Sequence, residues 1–364
     1  MKHNRTISAA PVTAMPRGRI EGPAAWIGEE MAETPERWTF TLEPHEIEEI
    51  DAAVVDVQKR GRPLSEIAPS SFVVPRLAQK LSRLLERHLL NGPGLAVLRG
   101  LPIARYDIEQ AAIAYLGIGS HLGTFRSQNA KGHLLGHVRD LGLDIRAKST
   151  RYYQTNRQLE YHTDSCDIVG LLCLKTARSG GESRVVSSVT LYNEVLARRP
   201  DLLPELFHAF PTDRRGEVPP EMKPWFDVPV FNWHEGQLTT IYVGQYIRSA
   251  QHNFPDARRL TVREQEAIDL LDALANEPQL RLQMDFQPGD MQFLHNHQIL
   301  HSRTDFDDWP EPERKRHLLR LWLAPATARP LPESFAARYG SLEPGARGGI
   351  ITRETTLKFV LQPE

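Results

Sequence analysis

From about residue 135 the chain breaks into short β-like runs that fix what it can fold into. They fall at about 161–174, 184–188, 227–231, 238–247, 279–286, 290–294 and 315–324. Turn signals separate them: Ser179-Gly180-Gly181, Pro219-Pro220, Pro288-Gly289-Asp290 and Pro310. Two helical patterns interrupt the runs, at about 189–208 and 261–275. In the second, Val262, Ala267, Ile268, Leu270, Leu271 and Leu274 form an apolar stripe. Many short strands with long insertions predict a β-sandwich or jelly roll decorated by helices. The first third reads differently. Apolar residues recur at helical spacing over 44–60 and 75–90, and a third helix is expected over 107–120. Between them Leu95-Ala96-Val97-Leu98 reads as a short buried strand.

Composition narrows the function classes. Lys+Arg 44 against Asp+Glu 46 leaves a net charge of −2, so there is no global basic field for nucleic acid or an anionic membrane. No apolar run reaches the ~18–20 residues that span a bilayer, and the basic start MKHNRTISAAPVTAMPRGRI lacks the apolar stretch of a secretory signal. The only cysteines, Cys166 and Cys173, sit in one apolar stretch and read as small core residues in a reducing compartment. A cytoplasmic protein with a small-molecule substrate is expected, and a homo-oligomer stays open. No dinucleotide-binding or phosphate-loop glycine motif is present.

The chemistry concentrates in Tyr161-His162-Thr163-Asp164. In extended chain His162 and Asp164 point to the same side. A lone His-x-Asp is weak, because its ordinary reading in a chain with fourteen histidines is a surface pair. Its context lies far downstream, where His295, His297 and His301 each offer a second imidazole. Two imidazoles and one carboxylate make the facial triad of non-heme Fe(II), with adjacent positions open for a chelating co-substrate and O2. Beyond these histidines, Arg316, Leu318, Arg320 and Trp322 alternate onto one strand face. Two arginines in one barrel mouth are costly unless anions meet them, and a dicarboxylate such as 2-oxoglutarate would need one.

With these motifs, and with ARSGGESRVVSS, LHNHQILHSRTDF and RKRHLLRLWL, the sequence resembles the Fe(II)/2-oxoglutarate dioxygenases of the taurine dioxygenase (TauD/TfdA), clavaminate synthase-like group, from about residue 90 to 325. The resemblance implies a β-rich α+β fold, a double-stranded β-helix (jelly-roll) core with flanking helices. It implies an N-terminal tail over 1–40, a helical part over 41–130, the core over 131–330 with an inserted segment 209–275, and an extension over 331–364. The family's Leu-His-x-Arg pattern falls on His301, giving the metal ligands His162, Asp164 and His301. It gives Ser183 and Arg316 to 2-oxoglutarate, although the His301-to-Arg316 gap slightly exceeds the commonest spacing. Arg320, Gln128 and Gln158 fall where relatives meet their primary substrate. His295, His297, His317 and Asp167 are expected off the metal. Because Asp164 keeps the carboxylate that halogenating relatives lack, hydroxylation of a small carboxylate or amino-acid-like substrate is favoured, with release of succinate and CO2. A non-catalytic binding protein on the same fold and a zinc hydrolase are the rival readings.

Overall fold

The computed structural model describes residues 15–145 and 150–364. Its core is two facing sheets. The larger has, in spatial order, Thr39–Thr41, Leu95–Arg99, Met291–His295, Ile168–Lys175, His317–Ala324 and Thr124–Phe125, with Gly136–Val138 also pairing to His317–Ala324. The smaller runs Leu282–Met284, Ser183–Ser187, Ile299–Arg303 and Leu159–His162. From Leu159 to Ala324 the core strands pass repeatedly from one sheet to the other, which is the winding of the expected jelly roll.

Side-chain alternation explains the layers. In Leu95–Arg99, Leu95 and Val97 point between the sheets, where they meet Leu294, Val185, Leu282 and Ile299. Ala96 and Leu98 point the other way, into the layer of Pro44–Lys59, Pro75–Leu84 and Ile108–Ser120. A strand buried on both faces needs the unbroken apolar run seen in its sequence. Each fully buried large apolar side chain contributes about 1.5–3 kcal/mol. The helix starts are equally local: Asp107 accepts the Gln110 amide at 2.8 Å.

Several expectations are corrected. The run 161–174 is two strands in different sheets, Leu159–His162 and Ile168–Lys175, joined by a loop that carries Asp164. The run 238–247 ends as strand at Thr240, and Gly244–Asn253 is helix. Residues 1–14 of the expected tail lie outside the described residues. The rest of it is packed: Tyr192 Oη donates to Gly18 O at 3.1 Å, and Trp26 Nε1 donates to Pro93 O at 2.8 Å. The inserted segment covers the outer face of the smaller sheet, with Phe210, Phe231, Leu238, Ile268 and Leu271 packed around Val186 and Leu300. Among the described residues no helix is long and apolar enough to cross a membrane.

Candidate active site

Antiparallel pairing sets His162 of Leu159–His162 directly opposite His301 of Ile299–Arg303. Their ring centroids are 4.2 Å apart. Asp164 leaves the strand end two residues later and turns back between them. Its Oδ1 is 3.8 Å from His162 Nε2 and its Oδ2 3.8 Å from His301 Nε2. One ligand atom from each of the three lies within 4.8 Å of the others.

The Asp164 loop is held from several sides. The Asp164 amide donates to Asn296 Oδ1 at 2.7 Å, and Asn296 Nδ2 donates to the carbonyls of Asp164 and Cys166 at 2.7 and 2.9 Å. Trp322 Nε1 donates to Asp164 Oδ2 at 2.8 Å. Burial alone would raise the Asp164 carboxyl, but Arg320, His301, His162 and the Trp322 N–H outweigh it and hold it below its ordinary range. Burial, with the His162 ring beside it, pushes His301 down to about 3, so its imidazole is neutral near pH 7. His162 Nδ1 lies 2.9 Å from the Glu160 carbonyl. A carbonyl only accepts, so Nδ1 donates to it and Nε2 is the ring nitrogen that faces Asp164. Two imidazoles and an ionised carboxylate fit a divalent iron.

A cavity runs from this cluster to Arg316, walled by Leu159, Val169, Leu171, Phe286 and Leu318. Arg316 precedes the strand His317–Ala324, and a register shift follows His317. It still shares this cavity with Leu318 and Arg320. Arg316 is 4% exposed, and burial pushes its guanidinium down to about 10. Nη2 donates to Gly181 O at 3.4 Å, whereas Nη1 is buried without a partner. Gly181 has φ +80°, and a Cβ there would stand 2.9 Å from Arg316 Nε. The Gly-Gly turn therefore makes room for the arginine. Ser183 lines the same cavity, and its Oγ receives Gln292 Nε2 at 3.1 Å. A buried cationic side chain with one N–H group unpartnered, lining a space that ends at His162 and His301, fits a carboxylate of a chelating co-substrate.

A second cavity opens on the other side of Asp164 and includes Gln128, Tyr153, Phe226, Tyr246, Arg320 and Arg338. Arg320 Nε donates to Gln128 Oε1 at 2.7 Å, and Arg320 Nη1 is 3.5 Å from Asp164 Oδ2. The charge that the sequence leaves unmatched on Arg320 is thus already met by Asp164. Gln158 is exposed, just before the strand that begins at Leu159, and lines neither cavity. The structure does not bring it to the site. Of the aromatic residues in 209–260, Phe226 and Tyr246 line the second cavity, while Phe231 and Tyr242 are core.

The remaining histidines have other work. His297 Nε2 donates to Asp167 Oδ1 at 2.9 Å. Asp167 is completely buried and also receives Arg347 Nε at 2.9 Å and Nη2 at 2.7 Å. Asp167, off the metal as expected, is the centre of a buried ion pair in the loop three residues from Asp164. His295 packs against Arg329 Nη2 at 3.0 Å. His137 Nε2 donates to Val360 O at 2.8 Å, so His137 Nδ1 accepts from His317 Nε2, also at 2.8 Å. Neither belongs to the metal cluster. Sequence reasoning missed Arg347, Arg338 and the donor role of Trp322. The glycines around Arg347 in GARGG were the one available signal, since Gly345, Gly348 and Gly349 all take positive φ.

Comparison with known proteins agrees with this arrangement. Residues 60–322 match the family described as taurine catabolism dioxygenase TauD, TfdA family. FR-33289 synthase of Streptomyces rubellomurinus (strain ATCC 31215) is 30% identical over 337 residues, covering 90% of this chain and 97% of the relative. The taurine hydroxylase-like protein SAT17 of Stachybotrys chartarum is 30% identical over 313 residues, with 84% and 79% covered. Among solved structures, asparagine oxygenase in complex with Fe(II), 3-hydroxyasparagine and succinate superimposes with a TM-score of 0.61 at 17% identity, over 79% of this chain and 93% of that one. The non-heme iron oxygenase OrfP with Fe and α-ketoglutaric acid gives 0.57 at 15%, over 78% and 93%. The chain belongs to the TauD/TfdA family and is an iron- and 2-oxoglutarate-dependent dioxygenase.

Proposed function

We propose that His162, Asp164 and His301 hold the Fe(II), that Arg316 and Ser183 receive the distal carboxylate of 2-oxoglutarate, and that the enzyme hydroxylates a C–H bond of a small carboxylate or amino-acid-like molecule. One observation carries the assignment: Arg316, whose buried Nη1 is unpartnered, shares a cavity with His162 and His301 of the three-residue cluster. When bound, iron and 2-oxoglutarate supply oxygen activation coupled to decarboxylation of the co-substrate to succinate and CO2.

The chain's own residues do the rest. Trp322 occupies Asp164 Oδ2 and so fixes the carboxylate's rotation. The Glu160 carbonyl fixes the His162 tautomer. The apolar walls from Leu159 to Leu318 exclude water, which strengthens the Arg316 contact. Arg320 and Gln128 stand together at the border of the second cavity, where the substrate enters beside Asp164. Structures of the asparagine oxygenase and OrfP hold hydroxylated asparagine and arginine, which supports an amino-acid-like substrate here. Two free, buried thiols support a cytoplasmic setting.

The test is an anaerobic titration of Fe(II) and 2-oxoglutarate, following the visible charge-transfer absorption, joined to a succinate-release screen over amino acids and small carboxylates. His301→Ala should lose the band and His297→Ala should keep it. The reverse result would reassign the distal ligand.

A further inference from the structure

Arg316 stands just ahead of its strand, where the regular ladder no longer holds it. His317–Ala324 begins one residue later, and its register to Ile168–Lys175 shifts right after His317. A main-chain N–H in so buried a place needs an acceptor. The Arg316 amide finds one in a side chain, Asp308 Oδ1, at 2.7 Å. The same oxygen receives the Trp309 amide at 3.2 Å. The other oxygen, Oδ2, is buried without a hydrogen-bond partner, and Asp308 forms no ion pair among the described residues.

The loop that carries Asp308 is braced on both sides. Phe306 and Asp307, just before it, pair with Gly180 and Ser179 of the Gly-Gly turn. Further on, the carbonyls of Pro312 and Glu313 receive Arg139 Nη2 and Lys175 Nζ. The Arg314 guanidinium covers the Trp309 ring, 3.5 Å from its centroid. Asp308 is thus the point where a fixed loop grips the backbone of Arg316. The guanidinium has little else to aim it. Its one hydrogen bond, Nη2 to Gly181 O, is long at 3.4 Å, and the Phe306 ring centroid lies 5.2 Å away.

We propose that Asp308 is a positioning residue for the co-substrate: by fixing the Arg316 amide it sets where the guanidinium meets the distal carboxylate of 2-oxoglutarate. The inference rests on the assignment of Arg316 above and deepens it. A guanidinium fork must present its N–H groups to a carboxylate at set distances and angles, so a small displacement of its backbone weakens the contact. The acceptor matters here, and the charge does not. The Asp308 charge steadies the Arg316 guanidinium, but it would also repel the incoming carboxylate.

The experiment is an anaerobic titration of the Fe(II)-loaded protein with two 2-oxo acids, followed by the charge-transfer absorption. 2-Oxoglutarate carries the distal carboxylate; 2-oxobutyrate has the same chelating end and lacks it. Wild type should bind 2-oxoglutarate at least ~10-fold tighter than 2-oxobutyrate. Asp308→Ala should weaken 2-oxoglutarate by about 10-fold and leave 2-oxobutyrate within about twofold of wild type. Asp308→Asn keeps an acceptor oxygen for the amide and should restore 2-oxoglutarate to within about threefold of wild type. An Asp308→Ala protein that binds 2-oxoglutarate as wild type does overturns the proposal, because Arg316 then aims itself. Equal weakening of both acids also overturns it, since the loop then only supports the fold. Asp308→Asn as weak as Asp308→Ala moves the effect from hydrogen bond to charge and overturns it as well. Equal binding of the two acids by wild type would instead sink the assignment of Arg316 to the distal carboxylate.

Discussion

Arg316→Met should separate stability from co-substrate binding, because the two depend on opposite features of one side chain. In the folded chain the guanidinium makes one long hydrogen bond, Nη2 to Gly181 O at 3.4 Å, stands 5.2 Å from the Phe306 ring centroid, and leaves Nη1 unpartnered. Its charge is desolvated more than the attraction of Asp308 offsets, and the depressed pKa records that cost. Methionine keeps the apolar stem and removes the charge, so the metal-free protein should hold its Tm or gain a few degrees. Binding should move the other way. A charge-assisted hydrogen bond contributes about 1.5–3 kcal/mol. Losing the fork to the distal carboxylate should cost about 3 kcal/mol, or roughly 100-fold in the 2-oxoglutarate KM. Arg316→Lys should recover part of that loss as a point charge. Thermal unfolding of the apoprotein and steady-state succinate release at varied 2-oxoglutarate give the two readouts. A KM within about threefold of wild type, alongside a Tm drop larger than ~5 °C, would show Arg316 to be a packing residue and refute the reasoning.

Three further outcomes are expected. Trp322→Phe removes the donor to Asp164 Oδ2 and should weaken Fe(II) binding by ~10- to 100-fold in a metal titration, with little change in the fold. Asp167→Asn leaves Arg347 buried without its charge partner and should destabilise the protein by about 3–5 kcal/mol in urea unfolding, whereas Asp167→Asn with Arg347→Met should recover part of the loss. His317 is pushed down to about 3 by burial and by the His137 ring, against about 6.5 when unfolded. The unfolded chain therefore binds more protons below pH 6.5, and stability falls as the pH drops from there toward 3. The slope from this group is at most ~1.4 kcal/mol per pH unit, and His317→Gln should flatten it in urea midpoints measured from pH 7 to 4.

What was legible in the sequence follows the range over which each constraint acts. Metal ligation demands particular residue types, so His162, Asp164 and His301 stood out although the last two are far apart in the chain. Strand alternation carried Arg320 and Trp322 to one side, and Arg316 shares the cavity despite the irregular register at His317. Local periodicity did less well where an apolar run hides a change of sheet. Nothing in YHTDSCDIVG marks the crossing from the smaller sheet to the larger, since no Pro or Gly breaks the segment before Gly170. Tyr242 to Ile247 looked like strand because its apolar residues are β-branched or aromatic, yet packing made Gly244–Asn253 helical. Arg338 and Arg347 were invisible for a different reason. Their partners Ser165 and Asp167 are 173 and 180 positions away, and no spacing rule links them.

That last separation imposes an order on the making of the molecule. Synthesis runs from the N-terminus, so the ribosome releases Asp167 long before it has joined Arg347 to the chain, 180 positions later. At ~5–20 residues per second the interval is roughly 10–40 seconds. Throughout it the carboxylate destined for full burial has no guanidinium to neutralise it. The turn carrying Asp164 lacks the anchor beneath it, while the histidine at 301 joins within the same interval. The loop that carries Asp164 therefore gains its Asp167–Arg347 anchor only after residue 347 has joined the chain.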